Sequence, residues 1–502
     1  MPDNGDAELR LISTVNMANI QYVALSHCWG TKTHLKTTSE NLDAMLSGIS
    51  LKALPKTCRH AVRVCRNLGL RYLWIDSLCI IQGNESEWRH EAGKMSTVYG
   101  NAFLVIVASA ASGDHGGIFP GRITNYLYTL NFEWKGHDIE LKLQPWRTHY
   151  LAQHGAGEGY LSRRGWAYQE RLLGRRSLLY HRDEIAWECN ETWRCECGVG
   201  DRVGGPKYHY NLHEMILSAQ HNPQILYEKW RLVILDRLLS KQTDKLPAIS
   251  GVAEVFRFHL KDDYLAGLWR RDLLRGLLWR NITNLYATFP ASEYCAPSWS
   301  WASLTGYTTA HYVPWGDEEF CAEILDAHCE TVGKELTGEV TGGWITISGP
   351  LAKGSFMVPL EVLERSLYST IPFAMDKKQG QSSSVEYCGV DCSIGAWLGQ
   401  AGTDGVLEQI GMRLKRPPPR KPINLTSEKR TYPLDECNVR IWCLKIGQGL
   451  LCHRTLYHTF LILGKSQKRE GSFERLGVGI IRSRKFIASF DEKAIHTTVT
   501  II

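Results

Sequence analysis

The residues best suited to chemistry lie within one short segment, residues 72–99. A short apolar run ends at Asp76 and Ser77, and a stretch with helical spacing then carries a second carboxylate, Glu91. Trp88 precedes Glu91 by one helical turn and adds an aromatic ring beside it. Because carboxylates next to apolar surfaces often have shifted pKa values and take part in catalysis, Asp76 and Glu91 are candidate acids.

The helix that carries Glu91 is well marked. Asn84 and Glu87 have the spacing of a capping box, in which the two side chains bond each other's free backbone amides. Apolar side chains then recur at helical spacing and form one stripe: Trp88, Ala92, Met95 and Tyr99. Glu91 borders this stripe, so it lies at the edge of the buried face. The alternative to a catalytic role is a helix salt bridge or a hydrogen bond to a neighbouring loop.

A doubly wound parallel sheet is predicted to position these residues. Apolar runs of strand length occupy residues 22–25, 72–75 and 103–111. A helix that begins at Pro55 and stops at Gly69 separates the first two runs, and the helix of Glu91 separates the second and third. The alternation of strand and helix is typical of an α/β domain with a parallel sheet.

The loops after the first two strands are expected to meet at one edge of this sheet, where open α/β sheets bind their ligands. Ser26, Trp29, Asp76, Ser77 and Glu91 are then predicted to line one cleft. Core packing is the favoured role for a tryptophan inside an apolar strand, as at position 74.

Four sequence blocks resemble the fungal heterokaryon incompatibility (HET) domain. They occur in the order expected for that family and cover about residues 20–190: YVALSHCWG, LPKTCRHAVRVCRNLGLRYLWIDSLCIIQ, EWRHEAGKMSTVYGNAFLVIVASAA and LSRRGWAYQERLLGRRSLLYHRDEIAWEC. Three shorter blocks found in large members of the family follow downstream: DKLPAISGVAEVF, YLAGLW and APSWSWAS.

The resemblance implies a role in fungal non-self recognition and regulated cell death. HET domains are thought to be distant relatives of TIR domains, so the sheet is expected to be of the TIR or flavodoxin type. In enzymatic members of that group, a glutamate on a helix after a central strand supports cleavage of NAD at its nicotinamide bond. Their D/E-W-x-x-E arrangement is similar to Glu87, Trp88 and Glu91.

By this resemblance Glu91 is the catalytic residue. The residues expected near the nucleotide are Ser26, Trp29, Gly30, Asp76, Ser77 and Trp88. Cleavage leaves a sugar with oxocarbenium character, which a carboxylate can stabilise or whose hydroxyls it can orient. NAD is then a substrate, and neither a cofactor nor a metal is expected.

The alternative is a signalling or interaction module without enzymatic activity, in which the motif residues are structural. For the enzyme, the resemblance implies self-association through the HET domain to complete the site; in the alternative, the sheet and its loops bind partners. The sequence does not identify the protein that triggers either one. Family members often carry more sequence upstream of the first motif, which leaves open whether a strand precedes Tyr22.

The composition excludes several classes of protein. The chain has 502 residues, of which 44% are hydrophobic, enough for two or three globular domains. A net charge of +6 without a basic stripe argues against nucleic-acid binding, and no apolar run approaches membrane-spanning length. Fifteen cysteines, an odd number without framework spacing, fit reduced thiols and a cytoplasmic location.

The last HET-like block carries an arginine-rich run with Gln169 and Glu170 in its centre: Arg163, Arg164, Arg171, Arg175 and Arg176. The run could meet a phosphate or an acidic partner, although a solvated face with internal ion pairs is favoured. Further on, Cys189, Cys195 and Cys197 do not have the paired spacing that zinc sites use.

The rest of the chain is predicted to form two accessory regions. Residues 205–335 are expected to be mainly helical, with amphipathic runs near 222–240, 247–260 and 265–280, and to end in the APSWSWAS block. Residues 336–502 contain short β-like runs between glycine-rich turns, which predicts a mostly β region. Mobile loops are expected near 375–385 and 413–425.

Overall fold

A computed structural model describes the following residues, and every structural statement concerns them: 9–32, 35–119, 128–143, 159–182, 184–196, 212–220, 222–233, 239, 241–279, 293–304, 319–333, 335–358, 370–375, 385–390, 437–450, 456–466, 468–482 and 484–502. They fall into two compact units. The first lies within residues 1–229, 237–239 and 247–259, and the second within 230–236, 240–246 and 260–502. In these ranges no helix has the length and apolar character needed to cross a membrane.

The first half of the chain alternates strands and helices. Its strands are β1 (Tyr22–Ser26), β2 (Tyr72–Ile75), β3 (Leu104–Val107), β4 (Tyr128–Trp134), β5 (His137–Leu143), β6 (Arg176–Tyr180), β7 (Ile185–Cys189) and β8 (Trp193–Cys195). Its helices are α1 (Leu42–Ser47), α2 (Lys56–Asn67), α3 (Asp76–Cys79), α4 (Glu85–Asn101), α5 (Ala167–Leu173), α6 (Leu212–Ser218), α7 (Gln224–Val233) and α8 (Pro247–Leu260). Short 3₁₀ turns lie at Leu51–Ala53 and Leu161–Arg163.

Six of these strands form one mixed sheet in the order β2-β1-β3-β6-β7-β8. The first four strands run parallel, whereas β7 and β8 join them as an antiparallel hairpin. Helix α2 packs on β1 and β2, while α5 packs on β1, β3 and α4. The prediction of an N-terminal α/β domain is therefore confirmed, with the correction that its sheet is mixed and not wholly parallel.

Alternation along β1 separates the two faces of the sheet. Val23 and Leu25 belong to the core cluster that also contains the buried side of α2. Ser26 points to the other face, where its hydroxyl meets Glu170 of α5. Because successive residues of a strand face opposite sides, the last residue of β1 aims its polar group at α5 and not at the apolar core.

The helix signals are present where the sequence indicates them. The side chain of Asn84 accepts a hydrogen bond of 3.1 Å from the backbone N–H of Glu87 and caps α4. Met95 and Tyr99 of the apolar stripe are buried. Pro55 precedes α2, and the chain leaves that helix through Gly69, whose φ is +71°. The start of α4 and both ends of α2 therefore lie at the residues that the sequence indicates.

The second unit is rich in strands: β9 (Tyr264–Leu265), β10 (Leu268–Trp269), β11 (Glu319–Phe320), β12 (Glu323–Thr331), β13 (Val340–Val358), β14 (Thr370–Met375), β15 (Val385–Val390), β16 (Cys437–Leu450), β17 (Leu456–Lys465), β18 (Phe473–Ile481) and β19 (Ile495–Ile501). It also contains helices α9 (Leu273–Gly276) and α10 (Arg484–Lys493), and 3₁₀ turns at Gln242–Asp244, Arg270–Asp272 and Trp301–Ser303. The order β11-β16-β17-β18-β15-β14-β13-β12, with β19 beside β13 and β18, makes one sheet. The prediction of a mostly β C-terminal region is confirmed.

The amphipathic run near 265–280 is helical only in part: a 3₁₀ turn and α9 occupy Arg270–Gly276, whereas its first residues form a hairpin. Strands β9 and β10 make a tight hairpin there, and its two turn residues, Ala266 and Gly267, have φ values of +42° and +97°. A two-residue turn with two positive φ angles favours a hairpin over a helix. The loop predicted at 413–425, residues 376–384 of the other loop, and Cys197 lie outside the described residues.

Candidate functional site

The loop after β1 brings polar groups to the carboxyl edge of the parallel strands. It begins with His27, which is buried like the preceding Ser26 at the end of β1, and turns at Gly30. Gly30 has a φ of +78°, and a Cβ atom there would lie 3.0 Å from the Cα atom of Gly113. This glycine pair lets the loop after β1 approach the loop after β3 more closely than side chains would permit.

Asp76 occupies the corresponding position after β2. Its Oδ2 accepts a hydrogen bond of 2.9 Å from the indole N–H of Trp29. Its Oδ1 accepts a bond of 2.7 Å from the backbone N–H of Ser77 and lies 3.8 Å from Nδ1 of His27. The loops after β1 and β2 therefore meet at the Asp76 carboxylate through Trp29 and His27.

His27 and Asp114 form a buried pair below this edge. The Nε2 atom of His27 lies 2.8 Å from Oδ1 of Asp114, and both side chains are fully buried. Desolvation lowers the pKa of His27, but the hydrogen bond to Asp114 and the charges of Asp76 and Asp114 outweigh it, so the pKa is raised. The pair links the loop after β1 to the loop after β3.

Glu170 supplies a third carboxylate from α5. It is buried, and its Oε2 accepts a hydrogen bond from the hydroxyl of Ser26. Burial raises the pKa of Glu170 to about 7, because the charge of Asp76 adds to desolvation while Arg164 and Ser26 oppose it only in part. This carboxyl group can therefore change its protonation state near neutral pH.

Arg164 and Tyr99 complete the surroundings of Glu170. Arg164 donates a hydrogen bond of 2.5 Å to the backbone carbonyl of His27. Burial tends to lower the pKa of Arg164, yet the charges of Glu170 and Asp76 raise it, so the guanidinium stays protonated. The hydroxyl of Tyr99 donates to the Leu25 carbonyl at 3.3 Å. The carboxylates of Glu170 and Asp76 and the guanidinium of Arg164 therefore interact with one another at the carboxyl ends of the parallel strands.

Glu91 lies on α4, outside this hydrogen-bonded cluster. Its side chain is 17% exposed and forms an ion pair of 2.7 Å with Lys94, one helical turn away, whose side chain is 49% exposed. Cys79 is exposed, yet enough protein surrounds its thiol that desolvation, followed by the charges of Asp76 and Glu91, raises its pKa to about 11. Glu91 therefore lies near α3, which begins at Asp76.

The remaining predicted residues have mainly packing contacts. Ser77 is buried, and its backbone carbonyl accepts a hydrogen bond of 3.0 Å from the amide of Thr37. Trp88 packs edge-on against Trp166, with ring centroids 5.8 Å apart. Trp74 makes a similar contact with Tyr99 at 5.5 Å. The structure thus joins Trp29 and Asp76 directly, places the hydroxyl of Ser26 against Glu170, and leaves Trp88 and Glu91 on helix α4.

Four charged or ionisable members of the cluster were not among the predicted site residues: His27, Asp114, Arg164 and Glu170. A signal was present for Asp114, which follows the apolar run of β3 as Asp76 follows that of β2. Arg164 belongs to the arginine run that was expected to form a solvated face; its side chain instead reaches the loop after β1. For Arg171 the internal pairing is confirmed, since it bonds Glu188 at 2.7 Å.

Gln169 connects helices α5 and α8 of the first unit. It is buried, and its Oε1 accepts a hydrogen bond of 3.1 Å from the amide of Gly251 in α8. A Cβ atom at Gly251 would lie 2.6 Å from the Cβ atom of Ser96 and 3.0 Å from Oε1 of Gln169, so the helices approach closely there. Gln169 therefore has a structural role in helix packing.

Comparison with known proteins agrees with this architecture. The family model "Heterokaryon incompatibility protein (HET)" matches residues 22–170, a span that runs from the start of β1 to Glu170 and contains every member of the cluster. A search of curated proteins and a search of solved structures give no match. Residues 22–170 are therefore a heterokaryon incompatibility domain.

Proposed function

We propose that this protein acts in heterokaryon incompatibility, the recognition of non-self between fungal cells that ends in regulated cell death. Its HET domain, in this proposal, is a TIR-like enzyme that hydrolyses NAD at the bond between nicotinamide and ribose. The reaction takes place in the cytoplasm, and NAD is its substrate.

The observation that carries the proposal is the placement of Glu91. Its carboxylate is partly exposed, it lies near the helix that begins at Asp76, and its ion pair is with the half-exposed Lys94 of its own helix. Exposed ion pairs contribute about 0–1 kcal/mol, so a ligand can displace the lysine at little cost. A carboxylate held this loosely is available for a substrate.

The carboxyl edge of the parallel strands supports nucleotide binding. Open α/β sheets bind ligands outside the carboxyl ends of their parallel strands, where Ser26 and Asp76 lie. Parallel β2, β1 and β3 with helices on both faces are also compatible with a TIR-like sheet. Trp29 and Trp88 offer indole rings on which a base or a nicotinamide ring can stack.

The chemistry asks little of the protein. The C–N bond between ribose and the cationic nicotinamide breaks, nicotinamide leaves as a neutral molecule, and water adds to the ribose with release of a proton. A carboxylate near the ribose stabilises the positive charge that develops on the sugar, or orients its hydroxyls. Glu91 is assigned this role, and neither a metal nor an activated serine is needed for it.

Self-association is part of the proposal. If two HET domains must meet to complete the site, activity depends on protein concentration and on a trigger protein that brings the chains together. Self-association is then expected to make the specific activity rise with protein concentration, because a site shared between two chains forms only when they associate.

A second candidate function is a signalling module without enzymatic activity. The observation that favours it is the pairing of the acids at the sheet edge within the protein: Asp114 with His27, Glu170 with Ser26, and Asp76 with Trp29. Polar side chains whose hydrogen bonds and charges are satisfied within the protein can serve to stabilise the fold without taking part in a reaction. In this case the sheet edge and its loops serve to bind partners.

Expression in living fungal cells distinguishes the two candidates. Wild-type protein, Glu91→Gln and the control Glu254→Gln are induced at matched levels, and cell viability and cellular NAD are followed together. Glu254 lies on α8 and has an ion pair with Arg257 three residues further along, as Glu91 has with Lys94. The enzymatic proposal predicts that wild type and Glu254→Gln deplete NAD before cells die, whereas Glu91→Gln does neither. Cell death by Glu91→Gln without loss of NAD favours the signalling module.

A further inference from the structure

A histidine, a cysteine and an aspartate converge beneath the sheet edge. His27, Cys58 and Asp114 are all buried, and one ligand atom from each lies within 4.8 Å of the other two. The Nε2 atom of His27 and Oδ1 of Asp114 are 2.8 Å apart. Imidazole nitrogen, thiolate sulfur and carboxylate oxygen are the three donor types that protein zinc sites use.

Three separate segments supply these donors and are bonded to one another. The backbone N–H of Thr57, next to Cys58, donates to the carbonyl of Asp114 at 2.8 Å. The N–H of Asp114 donates in turn to the carbonyl of Trp29 at 3.2 Å, which fixes the loop of His27. The donor atoms are thus held close together by the backbone, which lowers the entropic cost of binding an ion.

A second carboxylate stands behind the histidine. While Nε2 of His27 faces Asp114, its Nδ1 lies 3.8 Å from Oδ1 of Asp76. Asp76 is itself held by the indole N–H of Trp29 at 2.9 Å. Histidines that bind metals usually direct their other ring nitrogen to a carboxylate, which fixes the tautomer and the orientation of the ring. In His27 a carboxylate lies on this side of the ring, at 3.8 Å and so beyond direct hydrogen-bond distance.

The donor set favours zinc over calcium or magnesium. Those ions select sites built from oxygen atoms, whereas a site with sulfur and nitrogen donors suits Zn²⁺. Zinc lies about 2.0–2.3 Å from such donors, so a small separation of His27 and Asp114 makes room for it. A divalent ion also balances the charges of one thiolate and one carboxylate.

We propose that His27, Cys58 and Asp114 bind a zinc ion that ties the loops after β1 and β3 to the start of α2. On binding, the Cys58 thiol loses its proton to solvent and its sulfur bonds the ion. Three protein donors leave one position of a tetrahedral ion for water. The proposal concerns the shape of the sheet edge and does not depend on NAD hydrolysis.

The test is cobalt substitution in the full chain. Protein freed of metal with a chelator is titrated with Co²⁺, whose bond to a thiolate gives a sulfur-to-cobalt charge-transfer band. Wild type is expected to bind one ion per chain and to show this band. Cys58→Ser is expected to lose the band, while Cys65→Ser, which changes another buried cysteine of α2, is expected to keep it.

Zinc content of the isolated protein is measured beside the titration, because a buried site can exchange slowly. Asp76→Asn leaves all three donors in place and is expected to weaken zinc about 10- to 100-fold, since it alters only the carboxylate behind His27. Circular dichroism verifies that each variant is folded. No band in wild type together with no zinc in the isolated protein overturns the proposal, as does a band that persists in folded Cys58→Ser.

Discussion

The hydroxyl of Ser26, the last residue of β1, donates a hydrogen bond to the buried carboxylate of Glu170 on α5, 144 residues further along the chain. This contact joins the first and last blocks of the HET domain. It also places the ionisable Glu170 against the end of β1. Because the pKa of Glu170 is raised in the folded protein, the stability of the domain depends on whether this carboxyl group is protonated.

Removing the Ser26 hydroxyl is expected to destabilise the domain. Ser26→Ala leaves the Glu170 carboxylate without this donor, and an unsatisfied buried acceptor costs about 1–3 kcal/mol in the free energy of unfolding. Urea unfolding followed by circular dichroism measures the change. The control Ser47→Ala, at an exposed helix position, is expected to change the free energy by less than about 0.5 kcal/mol. Equal effects would contradict a special role for the contact.

The protonation of Glu170 is expected to make stability depend on pH. Its folded pKa of about 7 lies above the ordinary value of 4.5, so the folded state holds the proton more tightly than the unfolded state. Stability from this group is fully present below about pH 4.5 and is lost as the pH rises to about 7. The shift corresponds to roughly 3 kcal/mol.

Glu170→Gln isolates this effect, because glutamine stays neutral while the other ionisable groups of the cluster are retained. We expect the free energy of unfolding of wild type to fall relative to Glu170→Gln between pH 4.5 and 7. Urea midpoints measured at several pH values provide the comparison. Parallel pH profiles for the two proteins would show that Glu170 titrates as an ordinary carboxylate.

The close approach of Gly30 and Gly113 is testable with a matched pair of substitutions. Gly30→Ala incurs the cost of a left-handed backbone and a contact of 3.0 Å with the Gly113 backbone. Gly69→Ala incurs only the backbone cost, since its φ is +71° and nothing lies within 4 Å of the added methyl. Gly30→Ala is expected to lower the free energy of unfolding by at least about 1 kcal/mol more than Gly69→Ala. Equal losses would contradict the packing of the two loops.

The indole of Trp29 is expected to orient Asp76. Trp29→Phe keeps an aromatic ring but removes the N–H that the Asp76 carboxylate accepts, at a cost of about 1–3 kcal/mol. Trp134→Phe, at an exposed position of β4, is the control and is expected to change stability by less than about 0.5 kcal/mol. Thermal unfolding of both variants measures the difference, and a Trp29→Phe variant as stable as the control would count against the contact.

The elements around the site could be predicted from the sequence because their signals are local. The cap at Asn84, the stripe on α4 and the apolar run of β3 involve residues a few positions apart. Parallel strands then place Ser26 and Asp76 at one edge, since their carboxyl ends must meet there. The predicted meeting of the loops of Trp29 and Asp76 rests on this reasoning.

The pairing partners could not be predicted, because they depend on contacts between distant segments. Nothing near His27 in the sequence indicates that Asp114 lies 2.8 Å from it, or that Arg164 bonds its carbonyl. The hairpin of β9 and β10 was missed for a related reason. Its apolar residues also fit a helix, and the positive φ angles of Ala266 and Gly267 decide the outcome.

Glu91 is proposed as the catalytic residue of an NAD-hydrolysing HET domain. The most direct measurement incubates the purified full chain with NAD over a range of protein concentrations and quantifies nicotinamide and ADP-ribose. Wild type and the control Glu254→Gln are expected to release one ADP-ribose for each nicotinamide, with a specific activity that rises with protein concentration. Folded Glu91→Gln is expected to release neither. Equal release by Glu91→Gln, or no release by wild type at any concentration with oligomerisation enforced, would contradict the claim.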